Sequence, residues 1–175
     1  MGALHVYVRS EAEHLPLIQP DSMPPMFSSL LNLFSVTSSI AELMPSCPPG
    51  WTSYSIRCFL YVPSTMTWAN AEKYCQSQGG NLASVHSFDE QHVIQTMIQR
   101  QTSGYPLAWL GGCDAAQEGT WFWSDGTPFS YNYWATGQPD NRANANCLLM
   151  NFGDEKKFDD QPCNYIKPFV CAKKL

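Results

Sequence analysis

Apolar and polar positions divide the chain into an open first quarter and a densely patterned remainder. From Cys47 to Pro63, Trp51, Tyr54, Ile56, Phe59, Tyr61 and Val62 favour strand, with Pro48-Pro49-Gly50 as a breaker. Thr67 to Gln78 predicts a first helix. Trp68, Ala71 and Cys75 fall on one stripe, Thr67 is the expected N-cap, and Gly79-Gly80 the stop. Ser87-Phe-Asp-Glu90 reads as a capping box opening a second helix to about Gln101, with Val93, Ile94, Met97 and Ile98 on its core face. From Leu107 the pattern changes to strand and loop. Ala108-Trp-Leu-Gly-Gly112 is a buried strand ending in flexible glycines. Thr120-Trp-Phe-Trp123 alternates, and Asp125-Gly126 signals a turn. Between Phe129 and Asp160 only Cys147 to Phe152 reads as strand, and Phe169-Val-Cys-Ala172 closes the chain with another. So long an irregular stretch inside a patterned domain is expected to be a functional loop.

Residues 1–46 lack this patterning. They hold no Cys and only one Gly, so the domain is placed at residues 47–175. Met1 to Ser10 has no apolar core for a secretory signal. The stretch from Met26 to Val36 is diluted by Asn32 and serines and is too short to span a bilayer. A pro-segment, a poor signal and a gene-model artefact all stay open for this segment.

Composition narrows the class. At 44% hydrophobic residues the chain can bury a core, which argues against disorder. A net charge of -5 with ten Lys and Arg leaves no basic stripe for nucleic acid. The seven cysteines contain no C-x-x-C pair, and His5, His14, His86 and His92 are not spaced to complete a metal site with them. A disulfide framework and a secreted, extracellular location are the expectation, against buried free thiols in a cytosolic protein.

Six motifs in order carry a resemblance: Cys47-Pro-Pro-Gly-Trp51, Asn81-Leu-Ala-Ser-Val-His86, Trp109-Leu-Gly-Gly112, Trp123-Ser-Asp-Gly126, Gln138-Pro-Asp140 and Phe169-Val-Cys-Ala172. Together they resemble the C-type lectin-like domain over roughly Cys47 to Lys174. The narrower look is of small secreted fish lectins and fish type II antifreeze proteins. The resemblance implies an α+β double-loop fold with two helices, two small antiparallel sheets and a long irregular ligand loop. It implies disulfides Cys47–Cys58, Cys75–Cys171 and Cys147–Cys163. Cys113 is left over, either as a buried thiol or as a link to another chain.

The resemblance also implies a calcium site that holds vicinal sugar hydroxyls. Calcium takes six to eight oxygens, with carboxylates prominent. Gln138-Pro139-Asp140 matches the family triplet associated with galactose-type sugars, with its proline expected in cis. Asp159-Asp160 stands where the family has Asn-Asp, and Phe158 replaces the usual Trp. Ala145 stands where the family has Glu, leaving neutral Asn144 and Asn146 beside it, with Asn146 a further candidate ligand. Asp140, Asp159 and Asp160 keep three carboxylates for a cation. Asp159 accepts where Asn would donate, and Ala145 accepts nothing. No aromatic follows Asp140 to stack a sugar face, only Asn141 and Arg142. The competing reading makes Gln138-Pro139-Asp140 a plain turn in a domain that has lost its metal.

Three binding functions follow. The first is a galactose-type lectin with a degraded calcium site, acting on galactose-type or microbial glycans in innate recognition. The second is a calcium-independent binder of a protein or surface. Ice binding ranks last, because Arg142 and Asn144 replace the threonines expected there. Catalysis is not expected: the chain has no phosphate loop or H-E-x-x-H, and Asp159-Asp160 and Asp154-Glu155 are adjacent acids of a kind usually solvated or metal-bound. Trp109, Trp121, Trp123 and Trp134 are read as core filling rather than a stacking platform.

Overall fold

The structure, a computed structural model, describes residues 46–175. Except for Ser46, the readings offered for residues 1–46 lie outside that range. Ten elements follow in chain order: β1 (Thr52–Tyr54), β2 (Arg57–Met66), α1 (Trp68–Ser77), β3 (Asn81–Leu82), α2 (Phe88–Thr102), β4 (Ala108–Cys113), β5 (Phe122–Trp123), β6 (Cys147–Phe152), β7 (Lys157–Gln161) and β8 (Lys167–Lys174). Among the described residues no helix is long and apolar enough to cross a membrane.

Both helices form where periodicity places them. In α1 the buried stripe is Ala71 and Cys75, and the half-buried Trp68 donates from Nε1 to the Leu110 carbonyl at 2.8 Å. The expected cap is only partly realised, because the Thr67 side chain makes no capping bond. The end is a Schellman motif. Gly79 takes φ +80°, its N–H donates to Gln76 O, and Gly80 N–H donates to Cys75 O, both at 3.0 Å.

At α2 the Ser87 hydroxyl accepts from Glu90 N at 3.1 Å, as the capping box requires. Glu90 does not return to the Ser87 amide. One of its oxygens takes His86 N at 2.8 Å, and the other pairs with Arg57 at 2.6 Å. The cap thereby ties α2 to β2. Ser87→Ala is expected to lower stability by about 1 kcal/mol, read as a shift of the urea midpoint at unchanged slope.

The strands build two antiparallel groups. β1, β2, β8 and β3 form one, and β5, β4, β6 and β7 the other. A single parallel pair, Trp109↔Phe169 between β4 and β8, joins them. The expectation of one strand between Phe129 and Asp160 is corrected by β7. Its acids Asp159 and Asp160 are buried beside Phe158, on both faces of the strand, so polarity misreports which positions are buried. The expected strand at Thr120–Trp123 shrinks to Phe122–Trp123. The paired glycines of β4 are not flexible. They are fully inside the strand, and a Cβ on Gly111 would lie 2.6 Å from the Leu82 carbonyl. Close strand approach accounts for them.

Two apolar clusters fill the interior. One gathers Phe59, Ile94, Ile98, Leu110, Trp123, Leu148 and Phe158. The other gathers Leu82, Trp109, Leu149 and Phe169 around the Cys75–Cys171 bridge. Trp109 and Trp123 are fully buried, and Trp121 and Trp134 pack on the first cluster, so the tryptophans fill the core. Cys47–Cys58 closes the first hairpin, and Cys147–Cys163 joins the start of β6 to the turn after β7. Cys75–Cys171 spans 96 residues and fastens α1 to β8. Cys113 is the free thiol, half-buried at the end of β4.

Candidate cation and carbohydrate loop

Residues 124–146 run between β5 and β6 with only one backbone bridge to a strand, Trp134↔Phe158. Ala135 N–H donates to Phe158 O, and Phe158 N–H to Tyr133 O, at 2.9 and 2.8 Å. β7 is therefore the platform against which the loop is held. The Gln138–Pro139 peptide is cis, as expected for the triplet.

Asp160 makes the clamp. It is buried, and its two carboxylate oxygens accept Asp140 N at 2.9 Å and Asn141 N at 2.7 Å. Such charge-assisted bonds fix the backbone immediately after the cis proline. Asp140 turns back on its own loop: Oδ1 accepts Arg142 N at 3.0 Å, and Oδ2 lies 3.6 Å from Arg142 Nε. The Arg142 side chain is 88% exposed, so that pair is screened and contributes little.

Asp159 is the unusual group. It is buried, Oδ2 accepts from Gln161 Nε2 at 2.7 Å, and Oδ1 has no partner. Burial, foremost, pushes its pKa up to about 6. The Gln161 bond opposes this, and the charges of Asp160 and Asp140 add to it. Gln138 Oε1 and Asn141 Oδ1 are likewise buried without partners.

A cation wants such oxygens, and the donor set is of the hard type calcium takes. Gln138, Asp140, Asp159 and Asp160 are brought to the loop and its platform, and three orphaned acceptors belong to Gln138, Asn141 and Asp159. The residues present fit the group in that respect. The fit is partial. Ala145 is buried and offers only a methyl. Asn146 presents its main-chain carbonyl to Asp114 N at 3.2 Å, which uses that oxygen internally. The carboxylates of Asp140, Asp159 and Asp160 are not drawn into one tight group. Among the described residues the group of three or more such ligand atoms within 4.8 Å is Cys113, Cys147 and Cys163.

Two residues went unrecognised in the sequence. Asn141 counted only as a missing aromatic. Asp114, directly after Cys113, is 1% exposed with Oδ1 unpartnered. Burial raises its pKa, its bond from Gly119 N–H opposes this, and Asp160 adds to it, so it shares the field of the loop acids. An isolated Asp beside a strand end carries no pattern that marks it.

The fold also gathers Ser84, His86 and Asp125. Ser84 Oγ donates to Asp125 Oδ2 at 2.5 Å, accepts from Arg57 Nη2 at 2.9 Å, and lies 3.0 Å from His86 Nε2. The hydroxyl has one proton, and an ionised Asp125 can only accept it. His86 therefore does not serve as its base, and the cluster is not a nucleophilic triad. Burial pushes Asp125 up, but bonds from Ser84 and Thr127 with the Arg57 charge hold it below the usual carboxylate value.

Residues 64–173 match the lectin C-type domain. The galactose-specific lectin nattectin of Thalassophryne nattereri is 43% identical over 131 residues, 74% of this chain and 82% of its own. Ladderlectin of Oncorhynchus mykiss is 41% identical over 129 residues, 73% of this chain and 68% of its own. The solved herring type II antifreeze protein superposes with a TM-score of 0.69 at 36% identity, covering 74% of this chain and 99% of its own. With a family match over most of the described residues, and lectins at over 40% identity, this chain belongs to the C-type lectin domain family.

Proposed function

We propose that residues 47–175 form a secreted carbohydrate-binding domain that takes galactose-type sugars, those of microbial glycans included, at the loop from Gln138 to Asp160, and that a weakened calcium site there assists. Residues 1–46 are a separate segment in this reading. The observation that carries it is the set of buried, unpartnered oxygens on Gln138, Asn141 and Asp159 beside the Asp160 clamp. An unmade bond at a buried acceptor costs about 1–3 kcal/mol, and a bound cation would relieve it. Calcium would supply a charge centre able to hold two vicinal sugar hydroxyls. The chain's own contribution is to fix Asp140 and Asn141 and to keep Gln138 free to meet a hydroxyl. Three disulfides support the extracellular location. The galactose specificity named for nattectin supports the sugar class.

The test is a thermal melt with and without calcium, paired with a galactose column eluted by EDTA. A ligand that binds the native state alone must raise the melting temperature. At one hundred times its dissociation constant the gain is about 2.7 kcal/mol. Asp140→Ala is expected to abolish the calcium shift while retaining the fold. No shift at millimolar calcium, with no retention on galactose, refutes the reading.

A specific observation favours a second reading. Ala145 is buried, and both Asp160 oxygens are already engaged by backbone. With the Asp160 carboxylate committed to the backbone, the loop can present its surface without metal to a protein or another surface. Retention of a cell-surface ligand in EDTA would select that reading. Ice binding is disfavoured by the charged, exposed Arg142, and absence of thermal hysteresis would dismiss it.

A further inference from the structure

The seventh cysteine is not isolated. Cys113 ends β4, and its register partner on β6 is Cys147, itself bonded to Cys163. The three sulfurs lie within 4.8 Å of one another. Residues directly opposite on antiparallel strands stand about 4.5–5.5 Å apart at Cα, inside the roughly 4.4–6.8 Å span a disulfide accepts. The register thus brings Cys113 and Cys147 within the Cα reach of a disulfide.

We propose that Cys113 is the nucleophile of an intramolecular thiol–disulfide exchange centre that swaps the Cys147–Cys163 bond for Cys113–Cys147. The Cys113 thiolate attacks Cys147 Sγ, and a new sulfur–sulfur bond forms. The old bond breaks with its electron pair on Cys163 Sγ, which takes up a proton. One thiol and one disulfide stand on each side of the exchange, so no outside oxidant or reductant enters. The Ala115 N–H, 3.5 Å from Cys113 Sγ, is a donor placed to stabilise the attacking thiolate. Burial, foremost, raises the thiol's pKa. The Ala115 bond opposes this, and Asp114 adds to it, so the net effect disfavours the thiolate.

The consequences are local and specific. Cys147–Cys163 is the covalent tie across β7, the strand that carries Asp159 and Asp160. After exchange that tie is gone, and the thiol reappears at Cys163. Cys163 opens the turn in which Tyr165 is 47% and Ile166 is 62% exposed. The free thiol would pass from Cys113 to Cys163, both half-buried against the same apolar cluster, with Cys163 leading into the exposed turn. There it can meet another thiol or disulfide, including that of a second copy of this chain. The chemistry needs neither calcium nor sugar and stands independently of the proposed function.

The experiment uses the full chain, purified without added thiol and held at about pH 8.5, near the ordinary thiol pKa. Free thiols are trapped with N-ethylmaleimide at successive times, and peptides are mapped by mass spectrometry. The expected result is label on Cys163 as well as Cys113, accompanied by a Cys113–Cys147 linked peptide. The labelled Cys163 fraction should exceed that of a Cys113→Ser variant at least tenfold and be independent of protein concentration. Label confined to Cys113, with only Cys147–Cys163 linked, overturns the proposal. So does labelling of Cys163 that persists in Cys113→Ser, or that scales with protein concentration. Label on Cys147 with a Cys113–Cys163 link overturns the assignment of Cys163 as the leaving sulfur.

Discussion

Glu72→Ala is expected to destabilise the domain by about 3–5 kcal/mol, a large part of the roughly 5–15 kcal/mol that holds a domain of this size together. Glu72 sits on α1, 8% exposed, and its carboxylate joins three segments. Oε2 accepts Leu82 N at 2.8 Å and Ser124 Oγ at 2.9 Å. Oε1 accepts Asn81 Nδ2 at 2.6 Å and Gln76 Nε2 at 2.9 Å. The acceptor is a carboxylate, and such bonds contribute about 1.5–3 kcal/mol each. Truncation also leaves the Leu82 amide buried without a partner, a further cost of about 1–3 kcal/mol. The other three donors can relax or reach water, so the costs do not simply add. Glu72→Gln should cost less than half as much. Its amide oxygen can keep Leu82 and Ser124, while the Asn81 and Gln76 side chains rotate to offer oxygens to its NH2. Urea titration followed by tryptophan fluorescence would separate the two. Equal losses in both variants would show that charge matters more than the bonds.

The second large effect concerns pH. In EDTA, the stability difference between Asp159→Asn and the parent should change by about 2 kcal/mol between pH 4 and pH 7, in favour of the variant as pH rises. The folded protein holds the Asp159 proton up to about pH 6, whereas an unfolded Asp releases it near 3.9. Between those values the native state binds more protons than the unfolded state, so stability falls as pH rises. Below both values the carboxyl is neutral in both states and the cost disappears. The gap between the folded and unfolded proton affinities, at about 1.4 kcal/mol for each pH unit it spans, sets the size. The substituted amide can still accept from Gln161. Its NH2 then occupies the unpartnered position, a constant cost of about 1 kcal/mol. The variant should therefore be slightly the weaker protein at pH 4 and the stronger at pH 7. A pH-independent difference would show that Asp159 titrates in the folded state as it does in water. The same variant restores a hydrogen-bond donor at this position, and its retention on galactose should not fall below the parent's.

These two acids mark the limits of reading from the chain. Both helices were legible, because their apolar stripes and stop signals are local: Ala71 with Cys75, Gly79-Gly80, and Ser87 with Glu90. The three disulfides followed from resemblance and recur in the structure. Glu72 carries no mark in the sequence, because nothing near it tells that Leu82 and Ser124 will arrive as its donors. β7 is hidden in the sequence for a related reason. Its buried residues are Phe158, Asp159 and Asp160, and two acids in a row read as surface until the loop amides that Asp160 holds are known.

The loop shows the same division. Gln138, Asp140, Asp159 and Asp160 were identifiable as oxygen donors from the triplet and the paired acids. Their chemical types, the missing carboxylate at Ala145 and the odd number of cysteines are properties of the sequence alone. Only the tertiary structure decided their states. It left Asp159 half unpartnered and hard to ionise, committed Asp160 to the backbone, and set Cys113 against an existing disulfide. The physical reason is that side-chain type is carried by each residue separately, whereas burial, orphaned lone pairs and sulfur contacts arise between segments far apart in the chain. Cys113 and Cys147 are 34 positions apart in sequence and directly opposed across β4 and β6.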